Sequence, residues 1–174
     1  MDPVLTAFLK TDTTPDQIEQ ALYPLKDQLS INDKEKMDLG FSLFLMVIDV
    51  DELNYDQFDS LRPLQATLAK FIKDKAVVAM AAYAAFVLMH EEALEKELTE
   101  LPVSPVLEPF RDFFRSSTVH HLRNAIRTGS FRIIGNELLF KDGDWSVSME
   151  INQFLRLCNR IRRFYERVWK LTVS

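Results

Sequence analysis

The segment HHLRNAIRTG at residues 120–129, followed by FRIIGNELLF at residues 131–140, carries the clearest structural signals in this chain. The first part predicts the end of a helix, because Gly129 is a typical left-handed helix stop. The second part contains two β-prone runs on either side of Gly135-Asn136, a dipeptide suited to a two-residue hairpin turn. We therefore expect a helix followed directly by a hairpin.

Helices are predicted on both sides of this hairpin. The preceding helix begins at about Pro105 or Pro109 and ends at Thr128. After the polar loop KDGDW, a last helix runs from about Ser148 to Lys170. Its apolar residues recur in alternating steps of three and four, the spacing of a packing seam. These residues are Ile151, Phe154, Cys158, Ile161, Tyr165 and Val168.

The N-terminal hundred residues also show helical signals. Thr14 and Gln17 form a capping box, and a second cap at Asn32 predicts another helix. A helical region, as one helix or two, extends from Pro63 to about residue 98. It includes the apolar stretch 76–89, whose 14 residues fall short of the roughly 20 that span a bilayer. We expect a buried central helix there and no membrane partner.

Composition favours one mostly helical domain. The chain has 13 Phe but only 4 Gly, and 47% of its 174 residues are hydrophobic. We predict an all-α fold over residues 1–174, a helical bundle with one short β-hairpin inserted before the last helix. Residues 1–100 form an acidic helical part and residues 105–172 the helix-hairpin-helix part. Because Cys158 is the single cysteine and the start lacks a secretory signal, we expect a cytoplasmic protein.

Charge is distributed unevenly along the chain. Residues 1–108 contain 20 acidic and 9 basic side chains, net −11, whereas residues 109–174 contain 6 and 12, net +6. Overall acidity argues against a general nucleic-acid coat, but the basic third is suited to holding phosphate locally. Alternatively, the two parts pack against each other or against a second copy.

The acidic run at residues 49–59 lacks the glycine and final glutamate of a calcium loop, so we do not predict a calcium site there.

Polar side chains share one face of the helix that ends at Gly129. His120, Arg123, Asn124 and Arg127 stand at positions i, i+3, i+4 and i+7. Guanidinium groups there suit phosphate, an asparagine suits a ribose or base edge, and a histidine suits proton exchange in RNA cleavage. The neighbouring His121 is a further candidate for RNA contact. The alternative is a solvated or dimer-facing stripe on a structural helix.

LRNAIRTG, the hairpin, the FKDGD turn and the long amphipathic helix resemble the HEPN superfamily of helical domains in prokaryotic toxin and defence ribonucleases. The resemblance covers residues 110–168. It implies a homodimer in which arginine and histidine of both copies meet in a cleft and cut RNA without a metal or another cofactor. By position, Arg123 and Asn124 match the motif and Gly129 its helix stop. Thr128 stands in place of the histidine, and a hydroxyl cannot act as a general acid or base near pH 7.

A shifted register is a second way to match the motif. Arg115 is followed by His120 after four intervening residues and by His121 after five, which is within the spacing the family allows. This pair lies eight residues before the position that the glycine and the hairpin indicate. An active, metal-independent endoribonuclease would then use Arg115 and His120.

The leading hypothesis is a HEPN-like homodimer with impaired ribonuclease activity that binds RNA or a nucleotide, in a defence or toxin-antitoxin system. An antitoxin or another protein is then an expected partner. The rival is a structural or protein-interaction dimer that binds no nucleic acid. Phosphate-loop, paired-cysteine and HExxH motifs are all missing from the sequence, so we expect neither a metal nor a cofactor.

Overall fold

A computed structural model describes residues 2–11, 13–28, 61–88 and 104–173. Within these ranges there are seven α-helices, one 3₁₀ helix at Tyr23–Gln28 and three strands. The α-helices are α1 Pro3–Leu9, α2 Pro15–Leu22, α3 Leu61–Ala69, α4 Lys75–Leu88, α5 Glu108–Arg115, α6 Ser117–Thr128 and α7 Ile151–Val173. The strands, between α6 and α7, are β1 Phe131–Ile134, β2 Glu137–Asp142 and β3 Trp145–Glu150.

The three strands form one antiparallel meander with β2 in the centre. Phe131 pairs with Phe140 across the first hairpin, and Asp142 pairs with Trp145 beside the second turn. Both two-residue turns begin with a glycine of positive φ, Gly135 at 63° and Gly143 at 59°. Positive φ at the first turn position is the pattern of type II′ hairpins, which match the twist of the strands.

Helix α7 is the central element of the core. Its buried side chains contact α2 and α4 on one side and the sheet on another. Phe110 of α5 stacks on Phe164 with ring centroids 4.6 Å apart, and Phe140 of β2 lies 5.4 Å from Phe154. These aromatic contacts join the sheet, α5 and α7 into one core. The apolar seam predicted for the last helix is therefore occupied within the chain itself.

Side-chain caps fix the N-terminal helices. Thr14 and Gln17 form the predicted capping box at the start of α2, which confirms that helix start. Asp2 caps α1 by accepting from the amide of Val4. Its other carboxylate oxygen accepts from the hydroxyl of Thr118 at 2.8 Å. Because Thr118 is buried in α6, this bond ties the start of the chain to the basic C-terminal third.

The predicted all-α fold class is wrong. A third strand stands where the sequence analysis placed a polar loop and the first residues of the last helix, so the fold is largely helical with mixed α/β content. Val147 and Met149 are buried, while Ser146 and Ser148 are exposed. This alternation has the period of two that a strand requires. The last helix accordingly begins at Ile151 rather than at Ser148.

The helix predicted to reach Thr128 is interrupted. Ser116 has extended backbone angles, φ −74° and ψ 150°, and separates α5 from α6. Its hydroxyl donates to the carbonyl of Phe113 at 2.6 Å and accepts weakly from the amide of Val119. A serine side chain satisfies backbone groups at a helix start, which favours the break. The predicted stop at Gly129 is confirmed, with φ 70°.

The N-terminal predictions are tested only in part. The region from Pro63 contains two helices, α3 and α4, and α4 carries most of the apolar stretch. The predicted helix after Asn32, the acidic run 49–59 and the continuation beyond Leu88 lie outside the described residues. Within the described ranges, the helices are too short or too polar to cross a membrane.

Because β3 buries alternate residues, truncation of a side chain should have a large effect on stability at one position and a small effect at the next. Met149→Ala should lower the free energy of unfolding by about 2–5 kcal/mol, because it leaves a cavity in the core. Ser148→Ala, the matched control on the exposed face, should change it by about 0.5 kcal/mol or less. Urea unfolding followed by circular dichroism measures both. Similar losses for the two variants would contradict the strand.

Candidate functional site

Helix α6 presents the polar residues that the sequence singles out. Its inner face is apolar and packs into the core through Val119, Leu122 and Ile126. The other side chains are half-buried or exposed, and two of them, His121 and Asn124, contact Asp142 at the end of β2. The half-buried and exposed side chains are His120, His121, Arg123, Asn124, Arg127 and Thr128.

Asp142, the last residue of β2, lies at the centre of the site. Its Oδ2 lies 2.8 Å from Nδ1 of His121 and accepts from Nδ2 of Asn124 at 3.2 Å. His121 and Asn124 are three residues apart on α6, so their side chains lie on neighbouring turns of one face. One carboxylate thus connects the helix to the sheet through two side chains. We call His121, Asn124, Asp142 and Trp145 the Asp142 cluster.

Hydrogen bonding lowers the pKa of Asp142. The contact with His121 is the largest cause, the bond from Asn124 is the second, and the charge of Arg123 contributes less. The carboxylate is therefore ionised near neutral pH and acts as an acceptor only. Nδ1 of His121 must then carry a proton to make its bond, in either protonation state of the ring. In the neutral ring, Nε2 is the acceptor, and it points away from Asp142.

Trp145, the first residue of β3, covers one face of His121. The two rings stack with centroids 5.0 Å apart and an angle of 13° between their planes. The stack and the bond to Asp142 fix the orientation of the imidazole. About a third of the His121 side chain, 35%, stays exposed. An oriented and partly exposed imidazole is able to bind a hydrogen-bond donor or to exchange a proton.

The motif residues Arg123, Asn124 and Thr128 are engaged by neighbouring groups. Nη2 of Arg123 lies 3.5 Å from Oδ1 of Asn124. Nδ2 of Asn124 donates to Asp142, so the Asn124 amide contacts protein groups through both its oxygen and its nitrogen. Thr128 donates to the carbonyl of Asn124 at 2.9 Å, and its oxygen lies 2.8 Å from the Ser130 hydroxyl.

The remaining candidates are distributed over two helices. Arg127 is exposed in the last turn of α6, where a cation also interacts favourably with the helix dipole. His120 is half-buried on α6. Arg115 is exposed at the end of α5, on the far side of the break at Ser116. The shifted register therefore does not place Arg115 and His120 on one continuous helix.

The sequence analysis did not predict Asp142 and Trp145 as site residues. Both lie in the KDGDW segment, which was interpreted as a polar loop. The signal that could have found them is a two-residue turn at Gly143-Asp144. The residues that flank such a turn pair directly, so this turn would have predicted the pairing of Asp142 with Trp145. Among the described residues, no group of histidine, cysteine and acidic side chains could hold a metal ion.

The lowered pKa of Asp142 predicts a pH-dependent contribution to stability. The ionised carboxylate stabilises the fold above its ordinary pKa of 3.8, and this stabilisation is lost as the pH falls through 3.8 toward the lower folded value. Asp142→Asn should therefore melt at a lower temperature than wild type at pH 7, and the difference should shrink below about pH 4. Thermal melts at several pH values measure it.

The exposed Asp144 in the same turn supplies the control for this experiment. Asp144→Asn removes the same charge without touching His121, and it should change the melting temperature little at either pH. If the melting temperature of Asp142→Asn stays below that of the wild type by the same amount from pH 7 to pH 3, the ionised carboxylate does not stabilise the fold as assigned.

Comparison with known proteins gives no family for this chain. No family model, no curated protein and no solved structure matches it. The resemblance to the HEPN superfamily therefore depends on the motif residues Arg123, Asn124 and Gly129 and on the order of the elements around them.

Proposed function

We propose that the protein is an RNA-binding, HEPN-like homodimer whose ribonuclease activity is impaired, acting in a defence or toxin-antitoxin system. The observation that carries the proposal is the Asp142 cluster, which holds an imidazole edge on the same helix as Arg123 and the exposed Arg127. RNA is a polyanion with unstacked bases in its single-stranded parts. A helix with two guanidinium groups and an oriented ring suits both features.

Each group has a distinct role in this proposal. Arg127 and Arg123 contact phosphates, because guanidinium groups bind phosphate oxygens with paired N–H donors. The exposed edge of His121 contacts a base or a 2′-hydroxyl, which is a donor as well as an acceptor. Asn124 and Asp142 act as positioning residues, since their polar atoms are used within the protein.

The proposed dimer interface involves α6 rather than α7. The apolar face of α7 is buried in the core of its own chain and is not available to a second copy. In the arrangement that the HEPN resemblance implies, the motif residues of both copies face a shared cleft. The two α6 helices would then present Arg123 and Arg127 from each copy to one RNA.

Impaired cleavage is proposed from the chemistry at Thr128. The hydroxyl is exposed and bonded to a backbone carbonyl and to Ser130. It supplies no group that exchanges a proton near pH 7 at the motif position.

A second candidate function is metal-independent RNA cleavage through His121. The observation that favours it is the 2.8 Å contact between Nδ1 of His121 and Asp142. A carboxylate that holds one ring nitrogen leaves the other to act as a general base or acid. In this candidate the active imidazole is His121, and not His120 of the shifted register.

Salt dependence of RNA binding tests the proposed function. Affinity for a fluorescent single-stranded RNA should fall steeply as salt rises, with one RNA bound per two chains. Arg127→Gln should make the slope of log K against log salt shallower by about 1.4, because each of the two chains loses one phosphate contact and each contact contributes about 0.7. Lys73→Gln, which removes an exposed cation between α3 and α4, is the control and should not change the slope. Salt-independent binding, or no binding at low salt, would contradict RNA binding at α6. Either result would favour the alternative, a structural or protein-interaction dimer that binds no nucleic acid.

An RNA cleavage assay in the presence of a chelator separates the two candidates. We expect no cleavage by the wild type and measurable cleavage by Thr128→His, since a positioned acid-base group typically contributes about 100- to 10,000-fold. Wild-type cleavage that disappears in His121→Gln would contradict impairment and support the second candidate. Wild-type cleavage that is lost in His120→Ala, but not in His121→Gln, would instead support the shifted register with Arg115 and His120.

A further inference from the structure

Strand β1 forms one edge of the sheet. Its only neighbour in the strand order β1-β2-β3 is β2. The inner side chains of β1, Phe131 and Ile133, pack against the core, whereas Arg132 and Ile134 are exposed. Helix α3 also contacts β1, so the strand is held in place by the fold. A fixed edge strand is a surface on which another chain can add a strand.

The outer edge of β1 carries the backbone groups of Phe131 and Ile133. The carbonyl of Ser130 accepts from the amide of Lys141 in β2 at 2.9 Å. In an antiparallel ladder, every second residue directs its N–H and C=O to the same neighbour, so Ser130 and the alternate residues after it bond to β2. The N–H and C=O groups of Phe131 and Ile133 consequently point outward. Among the described residues, none is a hydrogen-bond partner for these outward groups.

The exposed face of the sheet carries opposite charges at the two ends of β1. Ile134, which is 56% exposed, pairs with Glu137 of β2, and Glu137 pairs with Glu150 of β3. Like charges directly across a ladder are unfavourable, so a cation near these two carboxylates would stabilise this end of the sheet. Arg132 lies on the same face, two residues before Ile134, and forms no ion pair with any described residue.

We propose that β1 pairs antiparallel with β1 of a second copy, with Ile133 of both copies on the two-fold axis. The two Ile133 residues then exchange their outward hydrogen bonds, which joins two three-stranded sheets into one. Facing residues of an antiparallel pair project from the same face, so Arg132 of each copy lies beside Ile134 of the other. The stem of Arg132 covers Ile134, and its guanidinium extends toward Glu137 in the next strand.

The side chains of β1 select this register over the neighbouring ones. A register centred on Arg132 would place the two guanidinium groups directly opposite each other, where like charges are unfavourable. A register centred between Arg132 and Ile133 would place an exposed side chain opposite a core-facing one, which the pleat of a sheet does not allow. Centring the pair on Ile133 avoids both conflicts and brings unlike charges together.

This inference rests on the homodimer of the proposed function and specifies how its two copies meet. Helix α6 ends at Thr128, five residues before Ile133. Five residues of fully extended chain span at most about 17 Å, so the last turns of both α6 helices lie near the two-fold axis. Arg127 of each copy is in such a turn, and one RNA is then able to contact both.

Sedimentation velocity without RNA, over a range of protein concentrations, tests the pairing. The wild type should form a dimer. Ile134→Lys should weaken it at least about tenfold, because each copy then places a lysine beside the partner's arginine at position 132. Ile134→Glu, the matched control, removes the same apolar side chain but places a carboxylate there, and its dimer should be about as strong as that of the wild type.

The fold itself should tolerate Ile134→Lys. The new lysine faces Glu137 within its own chain, a favourable cross-strand pair, and circular dichroism checks that the variant is folded. A loss of dimer in this variant is therefore separate from a loss of fold. A wild type that stays monomeric at every concentration, or equal weakening by the two substitutions, would overturn the proposal.

Amide hydrogen exchange followed by nuclear magnetic resonance locates the pairing. The Ile133 amide should exchange rapidly in dilute protein and become protected as the dimer forms, whereas the Arg132 amide, bonded to β2, should be protected throughout. An Ile133 amide that exchanges equally fast in monomer and dimer would overturn the proposal.

RNA binding by the same proteins separates this inference from the proposed function. A β1-paired dimer that binds no RNA would contradict the proposed function alone. Binding of one RNA per two chains through a dimer that neither substitution of Ile134 alters would contradict the β1 pairing alone.

Discussion

One face of α7 is buried along most of its described length, and this burial determines where the neighbouring elements lie. Phe154 and Phe164 on this face contact rings from β2 and α5, so the helix sets the positions of both the sheet and the helices before it. Its arginines consequently lie away from the core, where Arg156, Arg160 and Arg163 line a cavity. The sheet, held by the same face, carries Asp142 to the polar side of α6.

The bonds that join the Asp142 cluster to the fold are also the bonds on which the proposed RNA binding depends. By accepting from His121 and Asn124, the carboxylate connects the second turn of the sheet to α6. The same bonds, with the stack on Trp145, orient an imidazole whose side chain is 35% exposed. The proposed function depends on RNA contact at this exposed part of His121.

The sequence predicted local features well and long-range ones poorly. Gly129 and Gly135 determine their turns through backbone conformation alone, so the helix stop and first hairpin were predicted correctly. Strand β3 was missed because its alternation is only six residues long and runs directly into a long helix. The bond from His121 to Asp142 joins residues 21 apart, and no periodicity within one element reveals such a contact. The break at Ser116 was missed because the helical pattern continues on both sides of it.

RNA binding at the Asp142 cluster can be measured by titration with single-stranded RNA, followed by nuclear magnetic resonance of the His121 side chain and the Trp145 indole. In the free protein, the spectrum should show a proton on Nδ1 of His121, held by Asp142. Addition of RNA should shift the Nε2 resonance of His121 and the indole resonance of Trp145 in parallel with saturation of binding. RNA binding that leaves both side chains unshifted would contradict the account, because the RNA would then contact some other surface.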